Sequence, residues 1–72
     1  MKMRYAVVIE KAERNYSAYV PDLLGCVATG ASFQEVAVEI RKAIVFHVQG
    51  LRDDECPVPP PSSQVNYIEV ET

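Results

Sequence analysis

The sequence is short of metal ligands. It holds two cysteines, Cys26 and Cys56, and a single histidine, His47. The cysteines form neither a C-x-x-C pair nor a zinc-knuckle spacing, so no metal site is expected within one subunit. The expected state is two free thiols in a reducing compartment. Glycine is scarce, with three scattered residues, and no G-x-x-x-x-G-K-[ST] phosphate loop occurs. Positive charge is also short, with 7 Lys and Arg against 10 Asp and Glu, for a net charge of −3. A free duplex-binding protein carries a basic footprint, so direct DNA binding is not expected. Long apolar runs are missing. The run from Ala6 to Ile9 is closed by Glu10 and is too short for the apolar stretch of a signal peptide. The longest helix candidate is interrupted by Glu35, Glu39, Arg41 and Lys42, which is wrong for a membrane span. The default compartment is therefore cytoplasmic. Tryptophan is absent, yet 49% hydrophobic and 24% charged residues argue against wholesale disorder.

What is present fits one small domain over residues 1–72. A chain of this length buries only about 60% of the surface its unfolded form exposes, so a lone monomer is marginal. Residues 3–10 (MRYAVVIE) have strand chemistry, with Tyr5, Val7 and Ile9 on one face and Ala6 and Val8 on the other. Apolar residues on both faces predict a strand inside the sheet. Residues 11–15 make a polar connection, and Asn15 tolerates a left-handed conformation. Residues 16–20 return as an antiparallel strand in which Tyr16, Ala18 and Val20 oppose Ser17 and Tyr19. Pro21 ends that strand, because it lacks an amide donor. Residues 26–30 (CVATG) resume as a third strand, which completes an antiparallel meander.

Ser32-Phe-Gln-Glu35 is a capping box, so a helix is predicted from Phe33 to about Leu51, with Gly50 loosening its last turn. Phe33, Val36, Ala37, Ile40, Ala43, Ile44, His47, Val48 and Leu51 form its apolar stripe. A proline-rich connector over residues 52–64 follows, stiffened by Pro57, Pro59, Pro60 and Pro61. Residues 65–70 (VNYIEV) return to strand chemistry. The predicted class is α+β with element order β-β-β-α-β. A final strand parallel to the first would need a right-handed crossover. One helix covers one face of the sheet only. Ala6 and Val8 on the other face, with Val38, Val45 and Phe46 outside the helix stripe, are the candidate surface for a homo-oligomer, a dimer or tetramer, with self-association expected through this face or through a strand edge.

Catalytic chemistry finds little support. His47 sits on the apolar stripe with no nucleophile placed near it, so packing is its expected role. Glu10, Glu39 and Glu69 are the only set resembling a two-metal nuclease site, and Glu39 lies opposite the helix stripe, away from the sheet. No catalytic residue, cofactor or metal is expected.

One segment goes beyond generic folding rules. Residues 16–35 read YSAYVPDLLGCVATGASFQE. This resembles the signature Y-x-A-x-x-P-D-L-x-G-C-x-[AT]-x-G-x-[ST]-x-x-E of the HicB-like antitoxin family, matched at Tyr16, Ala18, Pro21, Asp22, Leu23, Gly25, Cys26, Gly30, Ser32 and Glu35. The flanking strand and helix also fit, so the resemblance covers nearly the whole chain as a single HicB-like domain. It implies a partial ribonuclease-H-like core without ribonuclease activity. It also implies neutralisation of a small HicA-type toxin, an mRNA-cleaving protein with a double-stranded-RNA-binding-like fold and a catalytic histidine. Many members carry a C-terminal DNA-binding segment; this sequence stops at Thr72, so operator binding is expected to be absent. An RNA-binding toxin is basic around its active site, and an acidic partner gains on-rate and specificity by complementary charge. Asp22, Asp53, Asp54 and Glu55 are the expected acidic contacts, and Leu23 and Leu24 the expected apolar anchors. The alternative is an orphan HicB-like homo-oligomeric scaffold or sensor.

Overall fold

The computed structural model describes residues 2–72. Three short strands are followed by one long helix: β1 (Val8–Lys11), β2 (Tyr16–Tyr19), β3 (Val27–Gly30) and α1 (Phe33–Asp53). The strands form an antiparallel meander in the order β1-β2-β3. Ile9, Ala18 and Ala28 stand side by side across the sheet, as do Val8, Tyr19 and Val27. Successive side chains alternate between faces. The Ile9–Ala18–Ala28 row therefore faces α1, and the Val8–Tyr19–Val27 row faces away.

The core lies between sheet and helix. Ala18, Val20, Leu23, Cys26, Val36, Ile40 and Val48 are buried in one cluster, with Tyr5, Val7, Ile9 and Ile44 packed partly against it. Val36, Ile40 and Val48 belong to the predicted helix stripe. Phe33, also on that stripe, remains half-exposed and meets Tyr16 edge-on, with ring centroids 6.5 Å apart.

The helix starts where the capping box places it. Ser32 is extended, and its hydroxyl accepts from the Glu35 amide at 3.0 Å. The helix runs past Gly50 to Asp53. It stops in a Schellman motif, in which the Glu55 amide donates to the Arg52 carbonyl and the Cys56 amide to the Leu51 carbonyl. Glu55 carries the motif's left-handed backbone at φ 55°, a conformation that costs a non-glycine residue roughly 1–2 kcal/mol.

Several expectations need correction. β1 is an edge strand rather than an interior one, because β2 is its only partner among the described residues. β1 also begins at Val8 rather than Met3, because β2 offers only 4 residues to pair with. Residues 65–70 form no strand here. They have the side chains for one, but no neighbouring backbone accepts their hydrogen bonds. Asn15 keeps a negative φ, since Glu55 is the only non-glycine residue at positive φ among those described.

Candidate functional site

The matched segment over residues 16–35 turns out to be built largely for folding. Tyr16 meets Phe33 edge-on, and Ala18, Leu23 and Cys26 fill the core. Gly25 sits at φ +83°, which a side chain would strain. Gly30 passes so close to the helix start that a Cβ there would lie 2.6 Å from the Val36 nitrogen. Ser32 caps α1. Burial raises the pKa of the Cys26 thiol above its ordinary value, which makes it a poor nucleophile. Both cysteines are free.

Asp22 has a specific task. The Ser62 and Ser63 amides donate to its Oδ2 at 2.9 Å each. The Ser62 and Ser63 hydroxyls donate to its Oδ1 at 3.2 and 2.7 Å. These bonds, chiefly those from Ser63, hold the carboxyl pKa down at about 2 from 3.8. Tyr5 adds a second tie, its hydroxyl donating to the Pro59 carbonyl. The connector is thus strapped across the end of the sheet near Asp22. The two serines escaped sequence reasoning because their partner lies 40 residues away; an Asp after a proline and a paired serine were the only signals.

The expected contact residues separate into distinct places. Leu23 is only 1% exposed and is a core residue, whereas its neighbour Leu24 is 95% exposed. The Asp22 oxygens are engaged within the chain. Asp53, Asp54 and Glu55 are exposed at the C-terminal tip of α1. Ala6 and Val8 are half-buried on the open face of the sheet. Val38, Val45 and Phe46 are exposed on the outer side of α1, beside Arg41, Lys42 and Gln49. Helix and sheet are two layers, so these two apolar sets face opposite directions and do not make one continuous surface. A third apolar feature is a groove between β1 and α1, lined by Tyr5, Val7, Ile9, Ile40, Ile44 and Val45 among others.

The carboxylates weighed as a nuclease site are not brought together. Glu10 lies on the open face opposite Ser17, while Glu39 sits on the helix and pairs with Lys42 at 3.4 Å. Among the described residues, no group of three or more His, Cys, Asp and Glu is arranged to hold a metal ion. His47 is half-buried on α1.

This geometry offers exposed apolar and acidic surfaces. A family model described as the HicB_like antitoxin of a bacterial toxin-antitoxin system matches residues 5–71. The chain belongs to the HicB-like antitoxin family. Among its relatives, a UPF0150 protein of Helicobacter pylori is 46% identical over 48 residues, covering 67% of each chain. A UPF0150 protein of Synechocystis is 36% identical over 56 residues, covering 76% of this chain and 71% of the relative. An uncharacterized 14.9 kDa protein from the rep-hol intergenic region of Haemophilus phage HP1 is 33% identical over 66 residues. The matched region takes in 92% of this chain but only 50% of that phage protein. No solved structure matches the chain significantly. Among the described residues, no helix is long and apolar enough to cross a membrane.

Proposed function

We propose that this HicB-like chain is a non-enzymatic antitoxin that binds a small HicA-type mRNA-cleaving toxin in the cytoplasm and neutralises it by occlusion. The observation that carries this reading is the family match, which takes in the packed body and the residues beyond it through position 71. The exposed side chains give it a physical basis. Asp53, Asp54 and Glu55 form an acidic tip at the end of α1, suited to a basic RNA-binding surface. Leu24 supplies an apolar contact that Leu23, buried beneath it, does not. Two copies acting together would present two such tips.

The test is a cleavage assay with the full chain and a purified HicA-type toxin encoded beside it. Cleavage of a labelled mRNA should stop at one equivalent of this protein. Reversing Asp53, Asp54 and Glu55 to lysine should slow association by about tenfold at low salt. Undiminished cleavage in excess antitoxin would overturn the proposal. A second reading, a homo-oligomeric scaffold with no toxin, draws on the apolar surface left open on the helix and beyond it.

A further inference from the structure

We propose that residues 65–70 of one copy add as a fourth strand to the free edge of β1 in a second copy, and that the second copy returns the same contact. The proposal concerns the protein alone and does not rest on toxin binding.

The segment VNYIEV alternates in a way that suits a strand covered on both faces. Val65 and Tyr67 point to one side, and Ile68 and Val70 to the other. In the single chain all four are exposed, Tyr67 at 91% and Ile68 at 77%. The segment makes no ladder bonds of its own. Val65 lies beside Arg4, Tyr5 and Ala6 of its own chain, and the residues after it are exposed along their whole length. The chain measures 48 × 26 × 19 Å, and its radius of gyration is 13.8 Å, against about 11 Å for a compact domain of this length. The Asp22–Ser62/Ser63 clamp and the proline run fix where this arm departs.

The receptor has matching deficits. β1 is an edge strand, and the chain ahead of it, residues 3–7, has no strand partner. An open edge of this kind is a template for another strand. Beside it lies the apolar groove between β1 and α1, which contains Tyr5, Ile9 and Ile44. An added strand would lay Ile68 and Val70 into that groove and Tyr67 over the open face near Val8. The opposite edge, β3, is a poorer receptor, because the adjoining surface carries the Glu39–Lys42 ion pair. A second copy is the occupant that meets the arm and the β1 edge together. Each chain owns one arm and one edge, and a two-fold exchange closes both.

Sedimentation equilibrium of the full chain should give twice the chain mass at micromolar concentration. Ile68→Pro removes an amide donor and blocks a ladder; it should return the mass to that of one chain while the circular dichroism of the body is retained. Mixed isotopically labelled and unlabelled protein should show intermolecular nuclear Overhauser effects between residues 65–70 and residues 3–9. A wild-type chain at single-chain mass would overturn the proposal. So would a fully dimeric Ile68→Pro variant, or Overhauser contacts confined to one chain.

Discussion

β2 and the arm over residues 65–70 are written in the same chemistry, yet only one of them is a strand. Both mix tyrosine with small or β-branched residues. β2 has partners on both sides, and its Ala18 is buried beneath α1. The arm has neither partner nor cover. The difference teaches that strand propensity expresses itself only where a neighbouring backbone and a packed face are supplied. β2 is held between nearby segments joined by short turns. The arm must find its partner across a stiff connector, or on another molecule.

The sharpest way to break this contrast is to remove what holds the body. Leu23→Ala empties the most enclosed leucine site and should cost about 3 kcal/mol, read as a fall in the urea midpoint. In so small a domain this should leave much of the chain unfolded, β2 included. A change below about 1 kcal/mol would mean that the body is as loosely held as the arm. Ser32→Ala should cost about 1 kcal/mol by freeing the Glu35 amide, again read by urea denaturation, with the strands otherwise kept. The smallest effect on the body should come from Asp22. Its carboxyl is stabilised in the charged form, so the clamp is fully present above pH 3.8 and is lost as pH falls through about 2. Carboxyl titration by NMR should find that low midpoint. Asp22→Asn should speed amide exchange at Ser62 and Ser63 with little change in the melting of β2. A midpoint for Asp22 near 3.8 would show that the strap is not formed in solution.

Local signals in the sequence carried the meander and the helix. Pro21 ends β2, Gly25 turns the chain, and Ser32 starts α1, each through the geometry of its own few residues. The helix stripe pointed to Val36, Ile40 and Val48 because a period near 3.6 is imposed by a single face. What stayed hidden depends on distant partners. An Asp after a proline does not name Ser62 and Ser63 as its partners, and nothing within VNYIEV says whether an edge will be offered to it. The same limit applies to contact surfaces. Leu23 and Leu24 are adjacent and chemically identical, and only the fold sends one inward and the other out. Glu55 gave no warning either, since glycine is the usual residue at a left-handed helix stop.

The length of α1 gives Leu23 a mechanical meaning. Twenty-one residues make a rod of about 31 Å, whereas 4-residue strands span about 13 Å. The far half of the rod therefore reaches past the strands, supported by the β2–β3 turn, whose Leu23 shares a cluster with Val48, and by Tyr5 ahead of β1. That turn is one of two supports beneath the helix end. The direction of the acidic tip is therefore set by the packing of a turn far from it in sequence.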